Sequence, residues 1–133
     1  MSYLLDTHTF LWAASAPEKL PAKVRKIIED ASNDVFVSKL SFWEIALKFG
    51  LGKLDLKGSV PEQLPEAAVK MGFGILDIDA DHVSSCHRLP RENHKDPFDR
   101  MLVWQAIQQK LVLVSKDKSL KDYERHGLSL VWG

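Results

Sequence analysis

HKDPFDRMLVWQAIQQKLVLVSKD, residues 94–117, carries a helical period and a strand in one run. Asp96 followed by Pro97 reads as an N-cap with proline at the first helical position, which satisfies an orphan N–H and suits the helix dipole. Leu102, Val103 and Ala106 then lie three, four and seven residues beyond Asp99, the stripe of a helix predicted over 97–110. LVLVS, 111–115, is an uninterrupted apolar run and reads as a buried strand.

The same alternation extends in both directions. YLLD at 3–6 is an apolar run that leads into a helical patch, THTFLWAA; AKVRKIIEDA is amphipathic, with Val24, Ile27, Ile28 and Ala31 on one side. VFVS at 35–38 is a second strand, and SKLSFWEIALKFG a helix with Gly50 as its expected stop. Residues 51–65 read as loop, with Gly52, Gly58, Pro61 and Pro65. A helix at EAAVKMG, a strand at FGILDI, a short helix at DADHVSSCHRL, a polar segment at 90–96, a short helix from Lys118 and a strand at SLVW complete the chain. Five short strands separated by helices predict a three-layer α/β/α sandwich with a mainly parallel sheet, one domain over 1–133.

Composition narrows the class. An apolar share of 45% excludes disorder, and the lone Cys86 excludes an internal disulfide and a cysteine metal cluster, which fits a reducing compartment. Apolar runs too short to cross a bilayer, and no basic segment leading into a long apolar one at the N-terminus, place the expected location in the cytoplasm with no membrane contact. Eighteen basic and eighteen acidic side chains balance, so any contact with nucleic acid must be local.

Ligands of such sheets gather beyond the carboxyl ends of the strands. Asp6 ends the first strand and Asp117 follows LVLVS by two residues, so both reach that edge if their strands are parallel neighbours. Glu44 sits in the helix just past the second strand, and Asp99 joins them if the 90–96 segment brings its helix start round. Asp96 and Asp99 also admit a plainer reading as N-cap and third-position carboxylate of a capping box. Against that, Asp99 shares its face with apolar residues, and a carboxylate there is costly without a partner. Arg100, its neighbour in sequence, cannot face it on a helix. Several half-buried acids would repel one another and take up protons unless a hard cation such as Mg²⁺ or Mn²⁺ lay among them.

With LLDTHTFLW, VSKLSFWEIALKFGLGKL, HKDPFDRMLVWQA and LVLVSKD in this order, the chain resembles the PIN domain family, and within it the VapC-like toxins of type II toxin-antitoxin systems. The resemblance implies an α/β/α sandwich with an acidic pocket that binds Mg²⁺ or Mn²⁺ and hydrolyses RNA phosphodiesters, neutralised by an antitoxin protein. It places the acids at Asp6, Glu44, Asp99 and Asp117, with small hydroxyls at Thr7 and Ser115 and Asp96 as the cap. Asp6 and Asp99 are expected to bind one ion directly, Asp117 and Glu44 to complete a second site or hold its waters. A homodimer is expected.

Other residues carry paired readings. Lys48, four residues after Glu44, is either its ion-pair partner or, with Arg100, a phosphate contact. His94 could touch a phosphate, while the remaining histidines lack zinc spacing. Arg88, Arg91 and Lys95 read as solvated. Trp43 and Trp104 suit core or interface packing, and Phe10, Leu11 and Trp12 an exposed patch for a partner. Two rivals remain: a PIN-like binding module without catalysis, and a phosphatase or receiver-like domain phosphorylated on Asp6. LLDTHTF argues against the second, with His8 where that pattern would supply another aspartate.

Overall fold

The structure, a computed structural model, describes all 133 residues. Strands β1 (Ser2–Leu5), β2 (Asp34–Ser38), β3 (Gly74–Leu76), β4 (Val112–Val114) and β5 (Ser129–Val131) form one sheet in the order β3-β2-β1-β4-β5. Every pairing is parallel, as the crossover helices between consecutive strands require. The helices are α1 (Thr7–Ser15), α2 (Ala22–Glu29), α3 (Lys39–Gly50), α4 (Leu64–Lys70), α5 (Ala80–Ser85) and α6 (Pro97–Gln109), with 3₁₀ turns between several of them.

Side chains alternate across the sheet, so each central strand feeds two cores. Leu4 and Leu113 join Leu102, Val103, Ala106 and Tyr123 on one face, beneath α6 and the 3₁₀ run Lys118–His126. Leu5, Val37 and Val114 join Phe10, Val24, Ile45 and Ala68 on the other, beneath α1, α2 and α4. Helix α3 contributes Leu40 to the first core and Ile45 to the second. Central strands covered on both sides are why LLD and LVLVS read as runs rather than alternations.

One local expectation is corrected and another narrowed. Helix α3 ends at Gly50 as expected, and the backbone turns left-handed just beyond it at Gly52, φ +73°, where a side chain would be strained. Phe10 is fully buried among the second core, so it contributes nothing to a surface patch, and Trp12 beside it packs against Trp132 with centroids 6.1 Å apart. Trp43 is 61% exposed, its ring resting edge-on against Phe98, so of its two expected roles, core or interface, only the interface one is left open. Trp104 is buried as expected and donates its indole N–H to Ser85.

From β1 the chain winds outward through β2 to β3, then returns to the other side of β1 for β4. Beyond the carboxyl ends of β1 and β4 the direction of winding reverses and leaves a crevice that no crossover fills. Helices α1 and α3 start at this edge because they follow β1 and β2; α6 starts there because it must run back to feed β4.

Candidate metal centre

Asp6 and Asp117 flank the crevice. Each caps the helix that follows: Asp6 Oδ1 accepts from Thr9 N at 2.8 Å, and Asp117 Oδ1 from Ser119 N at 2.9 Å. Pairing of Leu5 with Val114 puts the two strand ends level, and Asp6 N donates to Val114 O at 3.1 Å. Ser115 ties the acids together, its Oγ accepting from Asp117 N at 3.1 Å and its hydroxyl reaching the Asp6 carboxyl. Burial raises the Asp6 pKa from the carboxylate range, more than these hydrogen bonds and nearby His8 lower it.

Glu44 comes from the second turn of α3 and is 5% exposed. Thr7 Oγ1 lies 2.7 Å from Glu44 Oε1 and 2.8 Å from Ser41 Oγ. A carboxylate can only accept, so the Thr7 proton goes to Glu44 and Ser41 donates to Thr7. Lys48 Nζ meets the other oxygen, Oε2, at 2.5 Å, the ion pair expected of an i, i+4 spacing. This pairing, with smaller contributions from Asp96 and Asp99, holds the Lys48 pKa above its ordinary value.

Asp99 completes the edge from the first turn of α6. Asp96 caps that helix, its Oδ1 accepting from Phe98 N at 2.8 Å and Asp99 N at 3.1 Å. The reciprocal half of a capping box is missing: Asp99 Oδ2 faces His94 Nε2 at 3.1 Å. The Asp99 carboxylate is therefore not spent on the cap. Burial pushes its pKa up to about 6, and the negative charges of Asp96 and Glu44 add to the rise, while the His94 contact opposes it. Ligand atoms of His94, Asp99 and Asp117 all lie within 4.8 Å of one another.

The structure thus brings Asp6, Thr7, Glu44, Lys48, His94, Asp99, Ser115 and Asp117 to one edge. Arg100 is the exception. Its guanidinium donates to the carbonyls of Leu89, Pro90 and Arg91 and to the Tyr123 hydroxyl, at 3.0 to 3.4 Å, so it braces the 89–91 loop rather than presenting itself to a phosphate. That brace places His94, since the same loop delivers it. Two residues carry weight that the sequence did not signal. Ser41 was visible only as a neighbour of Glu44, and Ser119, linking His94 to Asp117, only as a small residue two places past an acid.

The donor set fits a divalent ion: ligand atoms of His94, Asp99 and Asp117 converge within 4.8 Å, with Asp99 destabilised as an anion by burial, while Asp6, likewise destabilised, stands outside that group. A surface hollow of about 350 Å³ lies at the opposite edge by Ile28, Asn33, Val35 and Phe73, where no such convergence exists.

A family model described as PIN domain matches residues 3–126. Ribonuclease VapC22 of Mycobacterium tuberculosis (strain ATCC 25618 / H37Rv) is 26% identical over 129 residues, 97% of this chain and 97% of the relative. Among solved structures, VapBC2 from Rickettsia felis bound to a DNA fragment from its promoter matches with a TM-score of 0.67 and 19% identity over 100% of each chain. DNA-bound VapBC from Salmonella typhimurium matches with a TM-score of 0.65 and 22% identity, over 98% of this chain and 97% of that one.

Proposed function

Because the chain belongs to the PIN domain family, we propose that it is a Mg²⁺- or Mn²⁺-dependent endoribonuclease, the toxin of a toxin-antitoxin pair, acting in the cytoplasm as a single domain over 1–133. The observation that carries this reading is the convergence of His94, Asp99 and Asp117 ligand atoms within 4.8 Å, at the sheet edge where Asp6 follows β1. The likeness to a ribonuclease over nearly the whole chain supports the substrate class.

In this reading Asp6, Asp99 and Asp117 hold the ion, and Glu44 stands behind them. A bound divalent ion supplies charge for the phosphate and lowers the pKa of its water. The chain's own groups do the positioning. Ser115 fixes Asp6 and Asp117 relative to each other, and Glu44 fixes Thr7 and Lys48 through its two oxygens. Lys48, its side chain 43% exposed, is left at the rim where an RNA phosphate would lie. Balanced overall charge suits such a local contact rather than broad capture of nucleic acid.

An antitoxin partner and a homodimer belong to the same proposal. Trp43, Leu47 and Leu51, at four-residue steps, are 61%, 44% and 61% exposed and make an apolar stripe beside the acidic edge. A structural neighbour from Klebsiella pneumoniae is a toxin-antitoxin complex by name, which supports a protein partner, and the stripe is the face assigned to it in this proposal. No helix is long and apolar enough to cross a membrane.

The deciding experiment incubates the purified chain with total RNA and Mg²⁺, with EDTA, and with EDTA followed by excess Mn²⁺, and maps the new ends. Cleavage that EDTA stops and Mn²⁺ restores supports the proposal. Full cleavage in EDTA removes its metal, and RNA binding without cleavage in every condition leaves a binding module.

A further inference from the structure

Ser119 determines which nitrogen of His94 carries a proton. Its Oγ lies 2.6 Å from Asp117 Oδ1, and since a carboxylate only accepts, the hydroxyl proton points there. Toward His94 Nδ1, 3.2 Å away, the same oxygen can then only accept. Nδ1 therefore bears the hydrogen and, in the neutral ring, Nε2 bears a lone pair. That lone pair faces Asp99 Oδ2, 3.1 Å away, in a group where ligand atoms of His94, Asp99 and Asp117 lie within 4.8 Å of one another. Lone pairs facing each other at this distance repel unless a proton or a metal ion lies between them, and the open site at Asp99 and Asp117 makes the metal ion the occupant to test. A ring whose far nitrogen is hydrogen-bonded within a carboxylate network is the usual arrangement of a metal-bound histidine.

We propose that His94 Nε2 is a nitrogen ligand of the divalent ion, joining Asp99 and Asp117 in a mixed nitrogen-oxygen site. The proposal rests on the metal-dependent reading above and adds to its carboxylates a ligand of different chemistry. Its consequence is selectivity. Mg²⁺ takes an all-oxygen octahedron, whereas an imidazole favours first-row transition ions, so Mn²⁺ is held more tightly than Mg²⁺ by about tenfold. His94 is carried on the loop that Arg100 braces, so the ligand is delivered by a fixed backbone. Ser119 is then a positioning residue for the imidazole.

Pulsed electron paramagnetic resonance on the Mn²⁺-loaded protein reads this directly. The wild-type chain is expected to show a histidine nitrogen coupling that changes when histidine is labelled with ¹⁵N. The coupling is expected to vanish in His94→Asn, with Mn²⁺ affinity down by roughly 10- to 100-fold, and to persist in His8→Asn, the control for the histidine nearest Asp6. Ser119→Ala, which leaves the ligand in place, should keep the coupling and weaken Mn²⁺ binding by about tenfold; it also serves if His94→Asn does not fold.

Mn²⁺ that binds the wild type without nitrogen coupling, yet is lost in Asp99→Asn, overturns this proposal and leaves the carboxylate reading standing. Coupling that disappears in His8→Asn instead of His94→Asn also overturns it. Absence of Mn²⁺ binding altogether overturns the metal-dependent reading itself, a result that Mn²⁺ titration of the wild-type chain separates from the others.

Discussion

Glu44 and Asp99 are carboxylates at one edge, and they solve the problem of burial in opposite ways. Glu44 is 5% exposed but receives the Thr7 hydroxyl on one oxygen and Lys48 on the other, so its charge is met within the protein. Asp99, whose side chain is 31% exposed, has only the His94 ring and two like-charged neighbours, Asp96 and Glu44, and its pKa rises to about 6. Burial alone therefore does not mark the acid that wants a cation; the absence of internal compensation does. In the proposed reading, Glu44 therefore belongs to the frame of the site and Asp99 to its working face.

Substituting the two acids' surroundings separates those roles, beginning with the largest effect. Asp99→Asn is expected to lower RNA cleavage by about a thousandfold, about 4 kcal/mol of barrier. At the same time it should leave metal-free stability unchanged or raised, because a destabilised anion is gone. Steady-state cleavage and urea unfolding in EDTA check both; loss of stability would make Asp99 a structural residue like Glu44. Lys48→Met should do the reverse and cost about 2 kcal/mol of stability, since it strands a buried carboxylate, an effect moderated by the partial exposure of Lys48. Thr7→Val removes the other partner and leaves Lys48 in place, for an expected loss of about 1 kcal/mol. Thermal unfolding of both variants reads these losses, and a stability equal to wild type in Lys48→Met would show that Glu44 needs no internal cation.

The frame was largely legible in the sequence, the working face only in part. The strands at LLD and LVLVS and the cap at Asp96–Pro97 were readable because runs, periods and proline placement are local. Placing Asp6 beside Asp117 needed one further fact, that β1 and β4 are parallel neighbours, which no single segment encodes. Lys48 met Glu44 because an i, i+4 spacing is itself local. Arg100 was misread for the same reason in reverse: helical spacing excluded Asp99 as its partner and left a phosphate, whereas its acceptors are carbonyls of a loop nine to eleven residues upstream. Phe10 was misplaced, and the core reading of Trp43 was lost, since apolar neighbours in sequence do not say which side of a helix faces a core. Ser119 had no signal at all, being a common turn residue after an aspartate whose reach to His94 exists only in the fold.

The smallest expected effect is the dependence of stability on pH, which still distinguishes the two acids. Asp99 titrates at about 6 in the folded chain against 3.8 as its ordinary value, so between about pH 4 and about pH 6 the native state holds more protons than the unfolded one. Stability contributed at this site is then greatest below that window and falls as pH rises through it, the opposite of an aspartate held by a salt bridge. Asp6, whose pKa is also raised by burial, adds in the same direction. Urea unfolding in EDTA across this range should show wild type losing stability relative to Asp99→Asn as the pH rises, by about 1 kcal/mol once the partial exposure of Asp99 is allowed for. Excess Mg²⁺ near neutral pH should cancel the loss and reverse it, because a ligand at a hundred times its dissociation constant stabilises by about 2.7 kcal/mol. A wild type that tracks Asp99→Asn at every pH would mean that Asp99 is compensated inside the protein after all, and the contrast with Glu44 would disappear.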